Sequence, residues 1–157
     1  MIKKRIFIYG ANGFIGSNLK KYLIKKNIGS IAYSRNVKLV DYNNNHYFKF
    51  WNNIIKKTNI IVYANFNNDL YELNKNPAVS IYKTLLPLHI LFEVIKSSKK
   101  KVKVIYLSSA SVYGNQKKLP VDENRKTQIN NLYDNLKILS EQILINSNIK
   151  NLNYTIL

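Results

Sequence analysis

The chain has 157 residues, 46% of them apolar, with 25 lysines and arginines against 8 aspartates and glutamates, a formal net charge of +17, and no cysteine. That composition excludes disulfides and thiolate metal sites, argues against wholesale disorder, and fits one domain with a real core. So large a positive charge raises a polyanion partner, nucleic acid or a membrane surface. Lys, Asn, Ile and Tyr are however abundant together, and the lysines are scattered apart from Lys99-Lys100-Lys101. No RNA- or DNA-reading motif occurs, so the charge is read as compositional bias, with no specific nucleic acid and no membrane as partner. No run of 18 or more apolar residues occurs, so no spanning helix is expected. Met1-Ile2-Lys3-Lys4-Arg5 superficially suggests a signal peptide, but the apolar run after it is short and enters a glycine turn without a small-residue cleavage site. A cytoplasmic protein is expected.

In chain order, Arg5–Tyr9 predicts a first strand and Phe14–Lys26 a helix, with Ile15, Leu19, Tyr22 and Leu23 at helical spacing. Between them lies Gly10-Ala11-Asn12-Gly13-Phe14-Ile15-Gly16. Strand, glycine turn and helix is the context in which such glycines hold a dinucleotide pyrophosphate on the unpaired N–H groups of the helix start. The spacing is GxxGxxG rather than GxGxxG, and a glycine trio alone is equally a plain turn. Ser30–Tyr33 predicts a second strand, followed by Ser34-Arg35-Asn36. An acidic residue at such a strand end suits the ribose hydroxyls of NAD, and an Arg suits the 2′-phosphate of NADP. Ser34 and Arg35 stand here with no acid before Asp41, which favours NADP, although a lone Arg is also ordinary on a solvated loop.

Tyr47–Phe50 is read as a third strand and Asn52–Lys57 as a short helix. Ile60–Ala64 predicts a buried strand, and Asn65–Lys75 a polar loop. Asn76-Pro77 starts a helix to about Ser98, with Ile81, Leu85, Leu88, Phe92 and Ile95 along one side and Pro87 expected to kink it. His89 has no second metal-type residue at ligand spacing. Val102–Leu107 is another buried strand, entering Ser108-Ser109-Ala110-Ser111-Val112-Tyr113-Gly114. After a loop, a helix is expected over Leu132–Ser147 and a last strand from Asn153. Alternating strands and helices predict an α/β fold, a doubly wound parallel sheet with helices on both faces and ligands beyond the carboxyl ends of the strands.

Tyr133 and Lys137 lie four apart on one helix and share a face. A lysine ammonium beside a phenol lowers its pKa from about 10, so the phenolate can take a hydroxyl proton while hydride leaves the same carbon. A serine hydroxyl can orient the same oxygen. Such a pair is also commonplace in a lysine-rich chain.

The order GANGFIG, SSASVYG and then YDNLK resembles the extended short-chain dehydrogenase/reductase group, the NAD(P)-dependent epimerase/dehydratase family, over nearly the whole chain. The resemblance implies a Rossmann-type fold and NAD(P) held by Gly10, Asn12, Gly13, Phe14, Ile15, Gly16, Ser34, Arg35, Ala64, Asn65, Ser108, Tyr133 and Lys137. It implies Ser109 as the catalytic serine, with Ser108 and Ser111 as flanking candidates, Tyr133 as the proton-transfer residue and Lys137 as its partner. Ala110 and Ser111 replace the Asp-Glu pair of the family's sugar dehydratases, so the implied substrate chemistry is 4-epimerisation or 4-keto reduction of a nucleotide-sugar. Thr84 takes the place of an Asn, Pro87 that of a Gly, and Phe50-Trp51 that of an Asp-hydrophobic pair after the third strand. Glu123 matches a common loop acid. Members extend well beyond this length, so residues 1–157 are expected to be an incomplete NAD(P)-binding domain without the substrate domain. A homodimer through the two long helices is expected, and the alternative is a non-catalytic NAD(P)-binding regulator or inactive remnant.

Overall fold

Short apolar runs become strands, and all of them pair in parallel. The computed structural model describes residues 5–33, 44–67 and 69–157. Its elements are β1 (Ile6–Tyr9), α1 (Phe14–Lys25), β2 (Ser30–Tyr33), α2 (Asn44–Lys57), β3 (Ile60–Tyr63), α3 (Leu70–Lys75), α4 (Pro77–Ser97), β4 (Val102–Tyr106), a 3-10 turn (Ala110–Tyr113), α5 (Leu132–Ile145) and β5 (Leu152–Ile156). Among the described residues the sheet order is β2-β1-β3-β4-β5. From β1 the chain goes to one side for β2 and comes back on the other side for β3. β1 therefore sits at the point where the winding reverses, and the glycine turn leaves from its carboxyl end.

The period-two alternation of the strands divides the core. On one face Ile6, Ile8 and Ala11 meet Leu19 and Leu23 of α1. On the other, Phe7, Tyr9, Ile61, Tyr63, Val104 and Tyr106 meet α2, α4 and α5. The register aligns Tyr33 with Tyr9, Tyr9 with Tyr63 and Tyr63 with Tyr106, one tyrosine at the end of each of four strands. Their ring centroids are 5.7, 5.0 and 5.9 Å apart in turn. Trp51 of α2 closes over the row, 5.0 Å from Tyr9 and 6.3 Å from Tyr63. Fully buried, its indole N–H donates to the Pro87 carbonyl at 2.9 Å and ties α2 to α4.

Several expectations are corrected. Tyr47–Phe50 is not a strand but the first half of α2. Tyr47, Phe50, Trp51, Ile54 and Ile55 recur at three- and four-residue spacing, and that helical face packs into the core. Phe50 and Trp51 are thus core residues, not a pair following a strand. The loop read over Asn65–Lys75 contains α3, capped by Asp69, whose carboxylate accepts the Tyr71 and Glu72 N–H groups at 3.0 and 3.2 Å. On α1, Ile15 is 56% exposed and Leu23 carries the buried side. On α4, Ile81 is 40% exposed, and burial starts in earnest at Pro87-Leu88. α4 is long and apolar enough, by length and composition, to cross a membrane, which the lack of an apolar run did not foretell. Its residues Leu88, Leu91, Phe92, Val94 and Ile95 are buried in the core.

The Asn76 cap forms as expected, accepting the Val79 N–H at 3.3 Å. The lysine run is partly structural. The Lys100 ammonium donates to the Ile55 carbonyl at 2.7 Å and to those of Lys56 and Thr58 at 3.3 Å, placing a cation on the negative end of α2. Replacing Trp51 with Ala removes both the ring that covers the tyrosine row and the bond to α4. The expected loss is about 3–5 kcal/mol of stability, read as a lower urea midpoint with an unchanged denaturant slope.

Candidate functional site

The carboxyl ends of β1 and β3 set the first part of the site. Gly10 takes φ +98°, a left-handed conformation that favours glycine, and a Cβ there would lie 2.7 Å from the Ala64 carbonyl group. Gly10 and Ala11 both donate N–H bonds of 3.0 Å to the Tyr33 carbonyl, and Ala64 donates 2.8 Å to that of Tyr9. The turn is thereby pinned to β2 on one side and β3 on the other. A Cβ on Gly16 would fall on the Gly10 carbonyl, so α1 starts directly on the turn. Gly13 is the N-cap of α1, with no side chain capping the helix and no acid in its first turn. A Cβ at Gly13 would meet only the Gly10 carbonyl oxygen, at 3.4 Å. Asn12 and Gly13 are exposed and Phe14 is 85% exposed. Unpaired N–H groups with open room above them, at the positive end of a twelve-residue helix, fit a diphosphate. Ser34 and Arg35 lie outside the described residues.

The second part comes from β4 and α5. Beyond β4, Ser109 caps the 3-10 turn. Its Oγ accepts the Ser111 N–H at 3.2 Å and shares a 2.9 Å hydrogen bond with the Ser111 hydroxyl. The Ser108 hydroxyl donates to the Glu141 carboxylate. Asn131 caps α5 by accepting the Asp134 N–H at 2.9 Å, which fixes where Tyr133 and Lys137 begin their shared face. Lys137 is 4% exposed, and its ammonium donates to the Leu107 carbonyl at 2.6 Å. It lies 4.1 Å from the ring centre of Phe66, 5.1 Å from that of Tyr106 and 5.8 Å from that of Tyr133. Tyr133 is half-buried, its ring edge-on to Phe66 at 5.0 Å.

The fold thus brings Tyr133, Lys137 and the strand exit before Ser109 together. It does not join Ser109 to Tyr133 by a hydrogen bond. The two parts of the site meet through the loop after β3: Ala64 and Asn65 touch the glycine turn, and Phe66 touches Lys137 and Tyr133. Phe66 and Tyr106 were not singled out from the sequence. The available signal was an aromatic residue placed next to the Ala64-Asn65 pair. A pocket of about 770 Å³ beside this loop is lined by Asn65, Phe66, Glu72, Lys75, Ser80 and Lys83. Another, of about 490 Å³, is lined by Ser108, Ser109, Tyr113, Glu123, Glu141 and Leu157. Thr84 borders the first, and Glu123 faces the second with Glu141. A third, of about 610 Å³, lies at the opposite ends of the strands, around Lys101, Lys103 and Lys150, remote from these groups.

Burial lowers the Lys137 pKa from 10.5 to about 8, the Glu141 carboxylate acting in the opposite direction. Burial likewise pushes the Tyr106 phenol up. Burial also raises Tyr113, with the carboxylates of Glu141, Glu123 and Asp122 adding to it. Among the described residues no group of three or more His, Asp or Glu side chains is placed to hold a metal ion.

A doubly wound parallel sheet with a glycine turn at its reversal point is a Rossmann-type domain. Residues 6–157 match the NAD dependent epimerase/dehydratase family, and the chain belongs to it. Solved structures agree on the fold. UDP-glucose 4-epimerase from Brucella ovis, in complex with NAD, superposes with a TM-score of 0.81 at 19% identity, over 98% of this chain and 50% of that one. RMD from Pseudomonas aeruginosa, complexed with NADPH, gives 0.80 at 20% identity, over 99% and 52%. A dTDP-4-dehydrorhamnose reductase from Clostridium acetobutylicum gives 0.77 at 20%, over 97% and 52%. The chain spans about half the length of these proteins. No curated protein matches it by sequence.

The lysine pKa has a consequence for stability. Between about pH 8 and 10.5 the unfolded chain binds a proton at Lys137 that the folded chain has lost, so this group makes stability rise with pH across that window. Below it the buried ammonium is a standing cost. Melting temperatures of the wild type should therefore rise more steeply from pH 8 to 10 than those of Lys137→Met. Parallel curves would show a lysine that folding does not perturb.

Proposed function

We propose that this chain is the cofactor domain of an NAD(P)-dependent oxidoreductase or epimerase that acts on a nucleotide-sugar by hydride transfer. The observation that carries the reading is the single loop, Ala64 to Phe66, linking an open glycine turn to a buried lysine beside a tyrosine. Gly10, Asn12, Gly13, Phe14, Ile15 and Gly16 hold the diphosphate on the first turn of α1. Ala64, Asn65 and Ser108 line the cofactor's path along the strand ends. Ser34 and Arg35 are assigned to the adenosine ribose from their place in the sequence after the second strand, and Arg35 favours NADP over NAD. When bound, the nicotinamide supplies the hydride acceptor or donor.

Lys137 brings a positive charge beside the Tyr133 ring. Tyr133 then moves the proton at the phenol oxygen, taking it from a sugar hydroxyl in oxidation and returning it to a carbonyl in reduction. Ser109 orients the same oxygen. When the Ser111 hydroxyl donates in the bond the two serines share, the Ser109 proton is free for the substrate. The 490 Å³ pocket beyond Ser109 is the side from which the sugar approaches. Support for the substrate class comes from family membership and from neighbours such as the Thermotoga maritima UDP-glucose 4-epimerase solved with UDP-glucose. A homodimer through α4 and α5 and a cytoplasmic location belong to the same reading. A second reading is that residues 1–157 bind dinucleotide as a non-catalytic regulator or remnant.

Titration of the chain with NADPH and NADH, followed by assay with UDP- and dTDP-sugars, separates the two. On the first reading, Tyr133→Phe keeps dinucleotide affinity within a few-fold and loses turnover by at least two orders of magnitude, as expected for a general acid/base contribution of about 10²–10⁴. Turnover that survives the substitution refutes the mechanism. Binding without turnover in the wild type supports the second reading, and no binding of either dinucleotide refutes both. NADPH should bind more tightly than NADH, with the difference lost in Arg35→Ala. Equal affinities in the wild type would remove the preference assigned to Arg35.

A further inference from the structure

The surroundings of Lys137 are unusual for a charged amine. An ammonium has three N–H donors; Lys137 as a residue is 4% exposed, and among the described residues its ammonium has one oxygen partner, the Leu107 carbonyl at 2.6 Å. Aromatic rings surround the rest of the ammonium. Among the described residues three rings stand near it: Phe66 at 4.1 Å, and Tyr106 and Tyr133 at 5.1 and 5.8 Å. A cation within about 6 Å of a ring centre is attracted by the ring's quadrupole, most strongly where water is excluded. Tyr106 is fixed in the sheet, and Tyr133 rides on the same helix as the lysine. Phe66 alone comes from a separate loop, where it meets both the ammonium and the edge of the Tyr133 ring.

We propose that Phe66 is a positioning residue for Lys137 and Tyr133: its ring holds the buried ammonium against the Leu107 carbonyl and sets the tilt of the Tyr133 ring. The loop that packs on the glycine turn thereby also places the amine of the hydride-transfer site. The word site here rests on the reading given under Proposed function; the ring–ammonium contact does not. Glu141 is the charged group acting on Lys137, and Tyr106 and Tyr133 are the other titratable groups around it. The ring acts in the same direction as Glu141, towards the charged amine, and against the burial that brings its pKa to about 8.

The test is a direct NMR titration of the Lys137 side chain, assigned by its loss in Lys137→Met, in the chain without dinucleotide. Phe66→Leu keeps the site apolar but removes the ring. The Lys137 pKa should fall by at least about half a unit, about a threefold change in the ammonium-to-amine ratio, while Phe66→Tyr stays at the wild-type value. Should Phe66→Leu fail to fold, fluorinated phenylalanines at position 66 weaken the ring quadrupole at nearly constant shape. The pKa should then fall progressively with fluorine number. An unchanged pKa in Phe66→Leu, or a flat fluorine series, overturns the proposal. Failure of the wild type to bind NADPH or NADH would overturn the proposed function and leave this titration intact, so the two failures are distinguishable.

Discussion

Tyr33, Tyr9, Tyr63 and Tyr106 stand side by side at the ends of four parallel strands, and the indole of Trp51 lies across the middle of them. Large rings in register bury much apolar area at low entropic cost and prefer tilted or offset contacts, as these rings adopt. The row fixes more than stability. Each tyrosine is the last residue of its strand, and after Tyr9, Tyr63 and Tyr106 the next residues in the chain are Gly10, Ala64 and Leu107, all of them backbone neighbours of the candidate site. Misalignment of the row by one residue would turn the side chains to the other face and carry the glycine turn away from Ala64.

The row also connects the two halves of the site. Tyr9 precedes the glycine turn. Tyr106 lies beneath the amine of Lys137. Between them Tyr63 leads into the Ala64–Phe66 loop. The core of this domain and its candidate chemistry therefore share their residues, and separate structural and functional positions are hard to draw at this edge of the sheet.

Much of this was legible in the chain itself. The three- and four-residue apolar runs at β1, β2 and β3 are too short for helices, with Gly10, Ser30 and Asn59 among the residues that bound them. Asn76-Pro77 carries both the cap and the first-position proline of α4. The helix from Leu132 puts Tyr133 and Lys137 on one face by spacing alone. What misled was local. Tyr47-Phe48-Lys49-Phe50 looks like a strand when read alone, and its helical period emerges only when the window extends to Ile55. Asp69 and Glu72, three apart, announced α3 inside a stretch dominated by polar residues. Phe66 was illegible for a different reason: its partners, Lys137 and Tyr133, are about seventy residues away, and only the parallel crossover brings them together.

β5 is at the border of the described sheet, and its continuation grips the serine loop. The Leu157 N–H donates to the Tyr106 carbonyl at 2.9 Å, and the Leu157 carbonyl accepts the Ser108 N–H at 2.6 Å. One peptide unit separates Ser108 from Ser109. The border strand is thus mechanically in series with the serine. A pull or a shift applied along β5, by whatever chain comes to lie against that edge, reaches the hydroxyl through two backbone hydrogen bonds and no flexible side chain.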